Sequence, residues 1–203
     1  MGTIEQLPSM QERLRRVALD LFSANGFQST SMRDLASQLG IHAGSLYSHI
    51  RSKQDLLFEI IEEALDDLVT ESSYQISQQK TFDAQLSKFV ETYISIRMTE
   101  WQSLALLERE APNLSEPQRQ RIEELQAGYI RCLRQLILRN SQCRNLPPSL
   151  LETLAKCIVG ILHALPLKDD RSNSINAQQA VKHGVCIIHG AILAAAKSSS
   201  LNN

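Results

Sequence analysis

Apolar side chains recur along most of this chain at intervals of three and four, the spacing of one helical face. The first such run is Leu14, Val17, Ala18, Leu21 and Phe22. Ser9, followed three residues on by Glu12, has the form of a capping box ahead of it, and Gly26 can supply a left-handed cap behind it. Ser31 with Asp34 opens a second, shorter helix whose Met32, Leu35, Ala36 and Leu39 make one stripe before Gly40 stops it. Ile41 and His42 form a turn, a third short helix covers about Ala43 to His49, and Ser52 with Asp55 caps a fourth. Alternating apolar runs and Asn-Gly turns, the signals of strands and hairpins, do not occur.

The fourth helix runs long, from Lys53 to about Gln78. Leu56, Leu57, Ile60, Ile61, Ala64, Leu65, Leu68 and Val69 keep its period, while Glu62, Glu63, Asp66 and Asp67 supply a wet side. Further helices are expected at about 82–97, 100–111, 117–140, 148–164 and 175–197, with polar loops at 141–147 and 166–173. The chain is therefore expected to be all-α. A three-helix helix-turn-helix domain over 1–57 should precede a larger helical domain over 58–203, with the long fourth helix as connector.

With 203 residues and 43% hydrophobic content the chain can bury a proper core, which excludes disorder as its main state. Its longest apolar stretches, Cys157 to Leu162 and Val185 to Ile188, fall far short of the roughly 20 residues of a membrane span, so no transmembrane helix is expected. The opening MGTIEQLPSM lacks the basic start and apolar centre of a secretory signal, which predicts a cytoplasmic protein. Cys132, Cys143, Cys157 and Cys186 are widely spaced and read as reduced, mostly buried thiols. A net charge of -1 is unpromising for a nucleic-acid partner, but distribution matters more. Residues 1–57 hold six Lys or Arg against five Asp or Glu, and 58–80 hold six acidic residues against one Lys. DNA affinity must then come from the placement of a few groups and from dimerisation.

Two short helices joined by a tight turn and braced by a preceding amphipathic helix follow the helix-turn-helix plan, in which the second short helix enters the major groove. Here that helix offers Ala43, Gly44, Ser45, Tyr47, Ser48 and His49, with Leu46 and Ile50 as inward anchors. Such a small, polar and aromatic face allows close approach and can hydrogen-bond phosphates or base edges, where a solvated structural helix would more often carry Glu and Lys. Lys53 adds a cation beside one helix N-terminus, and Ser31 and Arg33 serve the other.

The runs ALDLFSANGFQSTSMRDLA and LGIHAGSLYSHIRSKQDLL, within Arg13 to Leu57, resemble the N-terminal domain of the TetR family of regulators. The resemblance implies a dimer on operator DNA. It puts base readout at the start of the third helix, around His42 and Ala43, and phosphate contacts at Ser31, Arg33, Tyr47, His49 and Lys53. The chain departs from the family pattern at Ile50, where an aromatic is usual, and at His42, where Ser or Thr usually caps the helix. It departs again at Ala43, where a longer polar residue often meets a base.

The same resemblance implies an inducer site among the middle helices, for which Phe89, Tyr93, Trp101, Leu104, Leu107, Tyr129 and Leu133 are the candidate lining; taken singly, each reads as ordinary core. It also implies a dimer interface of the last two helices, where Gly160, Gly184, Gly190, Ala191 and 194–196 are small. Arg97, Arg109 and Arg131 read as solvated or ion-paired. His163, His183 and His189 lack the spacing of a metal clasp, and neither a nucleophile motif nor a phosphate loop occurs, so no metal, cofactor or enzymatic role is expected. The stretch LEREAPNLSEPQRQRIEELQAGYIRCLRQLI loosely resembles sensor domains that govern fatty-acid and acyl-CoA metabolism, which favours an apolar acyl or acyl-CoA effector over a flat aromatic or cationic drug. An enzyme or carrier with a fortuitous helix-turn-helix, and a regulator that acts through a protein partner, stay open as alternatives.

Overall fold

A computed structural model describes residues 9–165 and 176–201, and among these every regular element is helical. The expected loop at 166–173 and the expected helix start at 175 lie outside the described residues. The helices are α1 (Met10–Asn25), α2 (Met32–Leu39), α3 (Ala43–Leu46), α4 (Lys53–Ser77), α5 (Phe82–Thr99), α6 (Trp101–Glu110), α7 (Glu116–Arg139), α8 (Pro148–Ala164) and α9 (Ala177–Leu201). Single 3₁₀ turns follow α6 at Ala111–Asn113 and α7 at Ser141–Cys143.

The chain divides into two compact units, 1–64 with 100–122, and 65–99 with 123–203; the divide falls inside α4 and α7. In the first unit the caps form as the sequence suggests. Ser9 and Glu12 make a capping box on α1, Ser31 and Asp34 make another on α2, and Ser52 Oγ accepts from Asp55 N at 3.0 Å ahead of α4. Each satisfies donors that a helix N-terminus would leave open. α1 packs on α2 with Leu14, Ala18 and Phe22 of the one and Leu35, Ala36 and Leu39 of the other buried, and Phe22 meets the Phe27 ring edge-on at 5.4 Å. Burying a side chain of Phe22's size stabilises by roughly 1.5–3 kcal/mol.

Two local features differ from expectation. Gly26 has φ 84° and ψ 154°, a conformation open essentially to glycine alone, instead of the left-handed helical cap. α3 ends at Leu46 because the chain tightens into 3₁₀-like bonds: His49 N donates to Leu46 O at 2.8 Å, and Ser48 Oγ takes the Ser45 carbonyl at 2.7 Å.

The core of the second unit is built by Phe89, Val90 and Tyr93 of α5, Leu133 and Ile137 of α7, Ala155 and Ile158 of α8, and Ile188 and Ile192 of α9. The segment at 141–147 is more than a polar loop, since Cys143 and Leu146 are buried in the same core. By length and composition, Ala177–Ser199 is apolar enough to cross a membrane, with mean hydropathy 1.3, although no single apolar run predicts it. In this fold its Ala180, Ile188, Ile192 and Ala196 face the core of the unit.

Candidate functional site

The helix-turn-helix head stands on three inward anchors, Leu46 at 0% exposure, Ile50 and Leu39. With those turned in, His42, Gly44, Ser45, Tyr47, Ser48 and His49 are exposed together, Ala43 is half-buried, and Tyr47 reaches 61% exposure. His42 occupies the N-cap position of α3 without a side-chain capping bond, so its imidazole is not spent on the backbone. On α2, Arg33 is exposed. The Ser31 hydroxyl is engaged locally, accepting from Asp34 N at 3.2 Å and donating to Asp34 Oδ2 at 2.7 Å. The bond from the hydroxyl to the carboxylate, with one from the Ser31 backbone N–H, holds the Asp34 carboxyl below its usual range.

Lys53 is placed differently from a free surface cation. Its Nζ donates to Phe27 O at 2.6 Å and to Thr30 O at 2.7 Å, and stands 4.2 Å from the centre of the Phe27 ring. Partial burial pushes its titration below that of an ordinary Lys, and Glu110 pulls it partly back.

The turn from Gly26 to Ser31 is gripped from a second direction by residues the sequence gives no means of pairing. Buried Glu110, at the end of α6, accepts from Phe27 N at 3.3 Å, from Arg109 Nε at 2.9 Å and from Asn113 Nδ2 at 2.8 Å. Arg109 donates to the carbonyls of Phe22 and Ser23 at the end of α1, where the helix dipole favours a cation. Gln54 Nε2 reaches Asn113 O at 2.6 Å, and Gln118 Nε2 reaches Asp55 Oδ1 at 2.9 Å. The Phe27 backbone is thus held at its carbonyl by α4 and at its N–H by α6.

Of the candidate effector residues, the structure brings four together. Phe89, Tyr93, Tyr129 and Leu133 are buried in one core, with Phe89 stacked on Tyr129 at 5.2 Å. Trp101, Leu104 and Leu107 belong to the first unit, and Trp101 is 54% exposed. The reason is a rotation of α6: its buried face is Ser103, Leu106 and Glu110. A separate cleft of about 530 Å³ lies in the second unit, with Ile94, Met98 and Val181 as apolar lining and Glu91, Ser95 and Gln178 as polar lining; none of the candidates lines it. Arg97 caps α8 through the Leu162 and Leu165 carbonyls.

Two of the four cysteines, Cys157 and Cys186, are exposed, because they sit on the outward sides of α8 and α9. Gly160, Ile187, Gly190 and Ala194 share those outward sides, whereas Gly184 and Ala196 turn inward, Gly184 against Val90 and Leu165. No cluster that could hold a metal ion occurs among the described residues.

Fold and site together define an all-helical protein with an N-terminal helix-turn-helix head. Residues 14–60 match the family described as "Bacterial regulatory proteins, tetR family". The HTH-type transcriptional repressor KstR2 of Mycolicibacterium smegmatis is 36% identical over 64 residues, 32% of this chain and 31% of that protein. The chain thus aligns with about a third of the length of that relative. A tetR-family protein from Rhodococcus RHA1 has the same fold, with a TM-score of 0.81 at 17% identity over 92% of this chain and 98% of that one. So does AibR, solved with isovaleryl coenzyme A and operator DNA, with a TM-score of 0.71 at 19% identity over 87% and 97%. The head, residues 14–60, thus matches the TetR family, and the chain as a whole has the fold of solved TetR-family proteins.

Proposed function

We propose that this chain is a ligand-responsive transcriptional regulator, a repressor, that binds a palindromic operator as a homodimer and is released by a small-molecule inducer. It acts by binding, without catalysis or cofactor, in the cytoplasm. The observation that carries the reading is the exposed face of α3. Tyr47, His49 and the Ser45 and Ser48 region stand clear of a head whose anchors are buried. We assign base readout to His42, Ala43, Gly44 and Ser45, and phosphate contacts to Arg33, Tyr47, Ser48, His49 and the Ser31 end of α2. Lys53 we assign to the Phe27 clamp rather than to a phosphate. The outward sides of α8 and α9, with Gly160, Ile187, Gly190 and Ala194, suit a second copy related by a two-fold axis.

Induction follows from the grip on Phe27. α4 holds the Phe27 carbonyl and α6 its N–H, so relative displacement of the two helices bears on the turn that leads into α2. Two reading heads must lie about 34–36 Å apart to enter successive major grooves, and a shift of a few ångströms spoils that fit. We place the effector in the apolar core around Phe89, Tyr93, Tyr129 and Leu133; an acyl or acyl-CoA compound is supported by the loose sensor-domain similarity and by the ligand of AibR. A gel shift with the chain's own upstream DNA tests the reading. It predicts a complex that Tyr47→Phe with His42→Ala weakens, and retention unaffected by those changes contradicts it.

A further inference from the structure

The core of the second unit contains a buried polar pair. Ser72 on α4 and Tyr129 on α7 are 0% and 4% exposed, and neither Ser72 Oγ nor Tyr129 Oη has a hydrogen-bond partner among the described residues. The two hydroxyls are neighbours, close enough for Ser72 to favour the phenolate but short of good hydrogen-bond geometry, with Tyr93 and the Cys132 thiol beside the phenol. Phe89 covers one face of the Tyr129 ring.

An orphaned hydroxyl in a dry core lowers stability, and Phe or Ala would fill nearly the same space without that penalty. Two such groups on different helices offer a donor and an acceptor to one incoming oxygen. The chemistry that fits them is narrow. Burial pushes the Tyr129 phenol well above the ordinary Tyr range, so it stays protonated and, like Ser72, can both donate and accept. The only buried charged side chain among the described residues is Glu110, which belongs to the other unit. A carboxylate or ammonium brought to Tyr129 would be desolvated without a counter-charge.

We propose that Ser72 and Tyr129 are the polar anchor of the effector site, and that the effector presents one uncharged oxygen, a hydroxyl or a carbonyl, on a compact apolar body. This rests on the ligand-responsive reading and adds the chemistry of the ligand. Two sources supply that chemistry: a free phenol, alcohol or ketone, and an acyl thioester whose polar head stays outside the core.

Ser72→Ala, Tyr129→Phe and the double variant, made in the full chain, supply the test. Without ligand, each melts at the wild-type temperature or up to about 4 °C above it, since each removes an unpartnered group. Wild-type protein is then titrated calorimetrically with 4-ethylphenol, ethylbenzene, isovalerate and isovaleryl-CoA. Either 4-ethylphenol or isovaleryl-CoA binds, which identifies the source, while ethylbenzene and isovalerate bind at least about tenfold more weakly. The double variant loses that preference. A fall in the melting temperature of the single variants, equal binding of ethylbenzene, a preference that survives in the double variant, or binding of neither oxygen-bearing probe overturns the proposal. Failure of the wild-type protein to bind any operator is a separate result, which overturns the regulator reading and leaves the stability result to judge the anchor.

Discussion

Lys53 holds Phe27 twice, by a hydrogen bond of 2.6 Å from Nζ to the Phe27 carbonyl and by the approach of the same ammonium to 4.2 Å from the ring centre. The sequence position of Lys53, at the first turn of a long helix, suits a phosphate contact. In the structure its charge ties α4 to the turn between α1 and α2.

The two roles separate in the salt dependence of DNA binding. Lys53→Met keeps the stem over the ring and removes the charge-assisted bonds, so it should cost about 1–3 kcal/mol of stability and lower Tm by several degrees. The slope of log K against log salt should stay at its wild-type value. A slope reduced by about one unit would mean that Lys53 meets a phosphate after all.

Glu110 is the partner grip. Glu110→Ala leaves the Phe27 N–H without its acceptor and Arg109 without its carboxylate, so a loss of roughly 2–4 kcal/mol is expected. Hydrogen exchange shows where the loss is felt: amides 26–31 should exchange faster, and those of α1 around Ala18 should change less. Uniform acceleration through the whole unit would contradict a local grip.

Acid sensitivity follows from the cap of α2. Ser31 lowers the Asp34 carboxyl, first through its hydroxyl and then through its backbone N–H. A depressed folded-state value means a stabilisation that is full above the ordinary 3.8 and is lost as pH falls through the lower folded value. Ser31→Ala should therefore lower stability at neutral pH and flatten the stability curve below the ordinary carboxyl value. Chemical denaturation across pH 2–6, a range of about four units around that value, measures both effects. An unchanged acid limb would remove Asp34 from the account.

The dimer assignment depends on the outward sides of α8 and α9. Ile187→Glu with Ala194→Glu places carboxylates on a face that leaves Ile187 51% exposed in the single chain. Analytical ultracentrifugation should then report a monomer of unchanged helical content. Operator affinity should fall by about 100-fold or more as the two heads lose their linkage. A variant that remains dimeric would move the interface elsewhere.

The caps and stripes of the first four helices were legible in the sequence because they depend on residues three and four apart, as Ser9 with Glu12 and Ser31 with Asp34 show. Leu46 and Ile50 were legible as anchors for the same reason. What escaped was set over long separations. Glu110 meets Phe27 across 83 residues, and that pairing fixes which face of α6 turns inward, leaving Trp101 exposed where an apolar reading expects a lining residue. The outward positions of Cys157 and Cys186 escaped too, because small apolar residues fit either side of a helix. Ser72 lies on the apolar stripe of α4, four residues after Leu68 and four before Ile76, so spacing pointed to its burial, but nothing in the sequence pointed to its neighbour Tyr129, 57 residues on.

The central claim is that the α3 face reads DNA as a pair of heads, and the most direct measurement is genome-wide recovery of the DNA this protein holds. The account predicts fragments that share one inverted repeat, with half-sites about one helical turn apart, roughly 34–36 Å. Tyr47→Phe should weaken all of them together, and substitutions at His42 or Ala43 should shift preference at particular base pairs. Recovery of fragments without a shared inverted repeat, or an unaltered set from protein changed at His42, Ala43 and Tyr47, would contradict it.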